Sequence, residues 1–463
     1  MRTKASLAVL VLCVVVAPAG AETVGWRGDG TGRYPAADPP VRWGLGTNIV
    51  WQTPMPNWSN ASTILVGNRI FVCSEPSKLL CVSARDGTIL WERTVDFLEA
   101  LPPEEAERAS EQAEKGEELN RRISDLDRRR RRAENRLKAR PRQPGLKQEI
   151  ESMRAELAEL KDRLKSLSTY TLPRTGPTTG YATPTPTSDG THVYVLFGTG
   201  AAACFDLAGT MKWARVVEIK DHKWGHSASP LLVGDRLLVH ILKLIALDTA
   251  TGEPVWTHES EFSWGSPVHT RIDGVDVAVT PRCGLVRVRD GVALCEELIR
   301  HPDSASPIVH DGVGYFVEGN QIVAVRFPAK ADGSEKPKLL WRARPKVRPA
   351  KQRYYQSPVY HDGIVYAMSS RFRFYLSALD ARTGAIFYTR QLTLAGKRAY
   401  PSITLAGRLL YAASTGETAV FRPGRQYEEV ARNKLEDFRA SPLFAGKRMY
   451  VRGMKHLCCV GGE

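Results

Sequence analysis

The chain has 463 residues, 43% of them apolar and 25% charged, with a formal net charge of +15. That length allows one large domain or two to three ordinary ones, and the balance of apolar to charged residues excludes a disordered chain. The positive surplus favours acidic partners: anionic lipid, an acidic polymer or nucleic acid.

The first residues read as an export leader. Arg2 and Lys4 precede the ten-residue apolar stretch Leu7 to Val16, and Ala19-Gly20-Ala21 supplies an A-x-A cleavage site before Glu22. Ten apolar residues are too few to span a bilayer, and no later stretch is longer. The expectation is a protein exported to the periplasm or cell envelope, soluble once residues 1–21 are removed. Export sets nucleic acid aside as a partner. Cys13 follows Leu12 rather than a small residue, so it does not read as a lipidation site. Seven cysteines remain after cleavage, an odd number with no CxxC among them, which argues against a disulfide framework or a zinc ribbon.

One unit then recurs along the chain. It opens with Ser/Thr-Pro and a short apolar strand, turns at a Gly, and continues into a Val/Leu/Tyr strand. A strand of the form apolar-small-apolar-Asp follows, then a Thr-Gly or Asp-Gly turn and a strand ending in Trp. Before the first opening, at Ser62-Thr63, lies an isolated strand, Ile49-Val50-Trp51-Gln52-Thr53. The first unit closes over Ser83 to Trp91.

An insertion of different composition interrupts the array at 98–169. Its second half carries Leu146, Ile150, Met153, Leu157, Leu160, Leu164 and Leu167, an unbroken heptad seam. Its first half carries Leu119, Ile123, Leu126, Ala133 and Leu137, interrupted by Arg130. Arg140-Pro141-Arg142-Gln143-Pro144-Gly145 separates the two. This predicts an antiparallel coiled-coil hairpin projecting from the rim. Residues 121–147 hold twelve Lys/Arg against three Asp/Glu. Arg128, Arg129, Arg130, Arg131 and Arg132, with Arg140 and Arg142, make this arm a candidate surface for an anionic membrane or an acidic polymer.

After the insertion the openings recur at Thr185-Pro186, Ser229-Pro230, Ser266-Pro267, Ser306-Pro307, Ser357-Pro358, Pro401-Ser402 and Ser441-Pro442, about 37 to 51 residues apart. The clearest copy runs through Ile245-Ala246-Leu247-Asp248 and Thr251-Gly252 to Trp256; the fourth and seventh are the most degenerate. The count is eight, or seven if either of those fails. The eighth unit lacks its last strand, and the isolated strand at Ile49–Thr53 is the missing piece, so the N-terminus closes a ring. The fold class is therefore all-β: an eight-bladed β-propeller, with residues 22–97 and 170–463 flanking the arm. The repeated Trp51, Trp91, Trp213, Trp256 and Trp341 are expected to pack between blades. Cys81, Cys204 and Cys459 occupy the small buried slot of Ala246, Ala324 and Ala378.

The Ala-Leu-Asp-x-x-Thr-Gly-x-x-x-Trp unit resembles the PQQ-like propeller repeat. That family includes quinoprotein alcohol dehydrogenases and the propeller lipoprotein of the outer-membrane β-barrel assembly machinery. The resemblance implies the fold over nearly the whole chain outside the arm, and it implies two functions. A quinoprotein would hold PQQ over the propeller axis with a calcium ion and a carboxylate base. The residues before each opening line the corresponding mouth: Trp58, Tyr181, Trp224, His226, Trp264, His301, Tyr354, Arg398 and Arg439, with Tyr355 and Tyr400 beside them. Only Asp303, Glu436 and Asp437 among these positions are hard-metal ligands, and they come from non-adjacent blades. Cys458-Cys459 lies in the last blade, whereas the quinoprotein family's vicinal pair lies in an early one. No GxSxG, HExxH, P-loop or EF-hand pattern occurs. The aromatic and basic mouth suits an extended peptide or another envelope protein. The reading is a non-catalytic scaffold without a cofactor, outer-membrane assembly being one role in that class. The alternative is a PQQ- and calcium-dependent dehydrogenase or another small-ligand propeller.

Overall fold

Each repeat folds as four antiparallel strands taken in chain order. In blade 3 these are Leu231–Val233, Arg236–His240, Leu244–Asp248 and Pro254–His258. The two middle strands are buried on both faces, as in Arg69–Ser74 and Lys78–Ser83 of blade 1, and so read as continuous apolar runs. Outermost strands such as Ile89–Thr94 face solvent and carry Glu and Arg, which discourages edge-to-edge pairing. The structure is a computed structural model and describes residues 25–140, 143–167, 172–300, 304–348, 353–371, 373–396 and 398–462. The leader, His301, Asp303 and Arg142 lie outside them.

Eight such sheets form the ring. The degenerate fourth blade is complete, though its last strand is only Ala293–Cys295. The seventh is complete too, with Glu428–Lys434 as its last strand. Ile49–Pro54 pairs antiparallel with His456–Gly461 and puts Trp51 opposite Cys459, so the N-terminal strand completes the C-terminal blade. Cys81 likewise sits opposite Trp91, and Cys204 opposite Trp213. The opening strands lie innermost, against one another around the axis.

Two repeated devices join the blades. The first is a tryptophan dock. The Trp91 indole donates to the Leu207 carbonyl of the next blade at 3.1 Å and lies flat on Gly209, where a Cβ would fall 2.8 Å from the ring. Trp51, Trp213, Trp256 and Trp341 repeat this on Gly87, Gly252, Gly291 and Gly384. Glycine is required at these turns twice over, by the ring and by a positive φ.

The second device is a closed ring of side-chain hydrogen bonds. Each opening Ser or Thr donates its backbone N–H to the hydroxyl of the next opening residue. The order is Ser62, Thr185, Ser229, Ser266, Ser306, Ser357, Ser402, Ser441 and back to Ser62, at 2.7–3.0 Å. This gives the recurrent hydroxyl a physical reason: a buried N–H with no strand partner must find an acceptor.

The insertion forms helices α1, Pro103–Ala139, and α2, Leu146–Ser166. α1 starts at a proline with Glu104 and Glu105 in its first turn, and α2 leaves a left-handed Gly145. Both seams meet as expected: Leu119, Leu126 and Ala133 bury against Ile150, Met153, Leu157 and Leu160. Arg130 stays at the seam's edge by pairing with Asp127 and Glu134, both at 2.7 Å. Among the described residues no helix is long and apolar enough to cross a membrane.

Candidate functional site

The hydroxyl ring fixes where each blade-to-blade connector emerges, and the residues before the opening gather at one mouth of the channel. The largest group stands where blades 6, 7, 8 and 1 meet. The Arg439 guanidinium lies between the Trp58 and Tyr400 rings, 5.8 and 5.6 Å from their centroids. Its Nη1 donates to the Thr178 carbonyl at 2.7 Å. Tyr355 stacks on Tyr400 at 5.7 Å, and Arg398 donates to the Tyr400 hydroxyl at 3.1 Å. Burial lowers the Arg439 pKa, and the neighbouring Arg398 charge adds to that. Two cations held near three rings make a surface that attracts carboxylates and carbonyls while offering flat apolar area.

Thr178 belongs to the segment returning from the arm, which lies across part of this mouth. Arg174 pairs with Asp221 at 2.8 Å, and Gly176 packs under the Lys223 carbonyl. Asn60 donates to the Thr178 carbonyl at 2.7 Å, and the Tyr181 hydroxyl donates to Pro173 at 2.8 Å. Glu75 anchors the segment's end by accepting from the Tyr181 and Ala182 amides. Burial raises the Glu75 pKa, and those two donors pull it back. Beyond the segment a second group comprises His222, Phe262 and Trp264, with ring centroids 4.8–5.5 Å apart, beside an exposed Trp224. The Trp264 indole donates to Gly225 at 3.3 Å.

Two expected mouth residues point the other way. His226 is buried, with Nε2 2.8 Å from the His240 carbonyl, and burial lowers both histidines to about 4. Tyr354 is fully buried in the core shared by blades 5 and 6, and Tyr355 takes the surface position instead. In each case the residue adjacent to the strand is drawn inward by the packing of its connector, which local sequence does not register.

The opposite side of the channel is crossed by the chain's own residues 25–34. Gly25 packs against Thr187 of blade 2, Gly30 against Val268 of blade 4, and Arg33–Tyr34 adds a parallel strand to blade 7. Arg27 is fully buried there, donating to the Pro358 and Ile403 carbonyls at 2.9 and 2.7 Å. Burial lowers it to about 10, against the raising effect of Tyr34 and Asp29. No periodic signal announced this plug.

Among the described residues, the carboxylates that a calcium-bound quinone needs are not gathered at the mouth. Glu436 accepts from the Lys455 and His456 amides at 3.0 and 2.9 Å and pairs with His456 Nδ1 at 2.6 Å, so it holds a loop. Among the described residues no group of three or more His, Cys, Asp or Glu is arranged to hold a metal. Cys458 and Cys459 are buried free thiols, both pushed up to about 12 by burial. The described donor set does not fit the quinone and calcium arrangement.

Four-stranded blades, tryptophan docks and N-terminal closure define a PQQ-like-repeat propeller. The chain belongs to the family described as outer membrane protein assembly factor BamB, whose model matches residues 174–284 and 243–452. Among solved structures it is similar to BamB from Moraxella catarrhalis, with a TM-score of 0.55, 9% identity, and coverage of 89% of this chain and 99% of that one. It is similar also to the quinohemoprotein alcohol dehydrogenase from Comamonas testosteroni, with a TM-score of 0.54, 10% identity, and coverage of 97% and 82%. At these identities the likeness shows the fold alone. No curated protein matches the chain.

Proposed function

We propose that this propeller is an exported, non-catalytic scaffold of the cell envelope that captures an extended segment of a partner protein at its aromatic and basic mouth. Outer-membrane protein assembly is the role that family membership favours. The observation carrying the reading is Arg439, half-buried between Trp58 and Tyr400 with Tyr355 and Arg398 alongside. Such a group takes a carboxylate or main-chain carbonyl together with a flat side chain, which is what an extended peptide offers. A reading without a cofactor is supported by Glu436, whose oxygens are engaged in holding the 453–456 loop. The leader at 1–21 supports the compartment.

The test is crosslinking from p-benzoylphenylalanine placed at Trp224 or Arg398 in envelope-grown cells, with and without Arg439→Ala and Tyr400→Ala. A discrete protein adduct that the two substitutions remove supports the reading. Calcium-dependent PQQ binding by the purified chain, measured by calorimetry, would replace it with the dehydrogenase alternative.

A further inference from the structure

The arm carries a charge pattern that its own fold leaves unsatisfied. Residues 121–147 hold twelve Lys/Arg against three Asp/Glu, whereas 103–120 hold seven acidic residues against two basic ones. The three carboxylates of the tip half are all engaged: Asp125 with Arg128, Asp127 with Arg130 and Arg131, and Glu134 with Arg130 and Arg154. Arg136 meets Glu149 across the hairpin at 3.7 Å. Arg121, Arg122, Arg129, Arg132, Lys138 and Arg140 are exposed and pair with no carboxylate among the described residues. At 3.6 residues per turn, Arg121, Arg122, Arg129, Arg132 and Arg140 fall within about 100° of one another, on one flank of α1. The hairpin's seam is filled by its own two helices, so this flank is not needed for folding.

We propose that the tip half of the arm docks on an anionic lipid surface. This rests on the envelope reading above, since the partner must share the chain's compartment. No large apolar side chain is exposed among the described residues of the hairpin. Docking is therefore peripheral and electrostatic, without inserted anchors. The acidic root decides the geometry. A long polyanion laid along α1 meets seven repelling carboxylates, whereas a flat anionic surface met tip-first meets the cations alone. α1, with 37 residues, is about 55 Å long, enough to hold the acidic root several Debye lengths from that surface.

The experiment is co-sedimentation of the mature full chain with phosphatidylcholine vesicles containing 30% phosphatidylglycerol, against phosphatidylcholine alone. It is run for the wild type and for the quadruple variant Arg129→Gln, Arg132→Gln, Lys138→Gln, Arg140→Gln, all in or capping the half of α1 nearest the tip. Each basic residue near an anionic surface contributes roughly five-fold in affinity, so the variant should bind at least a hundred-fold more weakly. The binding should also vanish at 0.5 M salt. A variant with Arg129→Lys, Arg132→Lys and Arg140→Lys, which keeps the charge and the helix, should retain it. Equal binding to neutral vesicles, no loss in the glutamine variant with helicity intact, or displacement by a DNA duplex at equal phosphate each overturns the proposal. Arg439→Ala leaves vesicle binding unchanged, so this test and that of the mouth fail separately.

Discussion

Five of the eight seams between blades carry a tryptophan dock, and three do not. At the docked seams an indole bonds to the next blade and covers its turn glycine. Where blade 7 meets blade 8, the last strand offers Ala431, and the N-terminal segment covers the seam instead. Trp43 stacks on Tyr411 at 6.1 Å, and Tyr34 packs on Phe444 at 5.4 Å. Where blade 6 meets blade 7, Tyr388 meets Tyr427 edge-on, and the Tyr366 hydroxyl accepts from the Gly424 amide at 2.7 Å. Between blades 4 and 5 the dock is reduced to Cys295, packed against the core that includes Phe316 of blade 5. A repeat can lose its most recognisable residue wherever another part of the chain supplies the apolar cover.

The sharpest way to break the contrast is truncation. Trp341→Ala at a docked seam should cost about 3–5 kcal/mol in guanidinium unfolding, whereas Cys295→Ala should cost under about 1 kcal/mol. Equal losses would mean that the docks do not hold the ring. The glycine side of the dock comes next. Gly384→Ala places a Cβ 2.7 Å from the Trp341 ring at φ +74°, while Gly363, at φ +75°, has nothing within 4 Å. Gly363→Ala should therefore cost the backbone strain alone, about 1 kcal/mol, and Gly384→Ala at least twice that.

Acid should weaken the docked side through His226 and His240, which burial holds at about 4 against an ordinary 6.5. Below pH 6.5 the unfolded chain binds two protons that the folded chain refuses. Stability then falls as pH drops from about 6.5 toward 4, with a loss of about 2 kcal/mol between pH 6.5 and 5.5. A His226→Gln, His240→Gln variant should flatten this slope in urea titrations at each pH. A further, moderate effect belongs to the hydroxyl ring, common to all eight seams. Ser266→Ala leaves the Ser229 amide unpaired and should cost about 1–2 kcal/mol, while Ser266→Thr should be nearly neutral, since Thr185 already serves in the ring. Thermal melts of the two variants compare them directly.

The architecture was legible because it is periodic. Ser-Pro openings, Gly turns four residues before an aromatic, and apolar residues alternating three and four apart each follow from repeating backbone geometry. The orphan strand at Ile49–Thr53 and the truncated eighth blade announced closure for the same reason. The mouth was half legible: Trp58, Tyr181, Arg398 and Arg439 stand there, but position next to an opening did not separate Tyr355 from Tyr354 or expose His226. Asn60 and Thr178 carried no signal, because a single amide and one carbonyl have no pattern.

By itself, the sequence determined the repeat, the closing strand, the hairpin and the charge of its tip, since each depends on local spacing and composition; that the degenerate fourth and seventh blades complete the count of eight was left to the structure. Only the tertiary structure decided that residues 25–34 cross the channel, that the arm's return segment lies over the mouth, and that Arg439 sits between two rings. These depend on bringing together residues hundreds of positions apart. Contacts of that kind are made where curved sheets leave space, and no short stretch of chain encodes where that space will be.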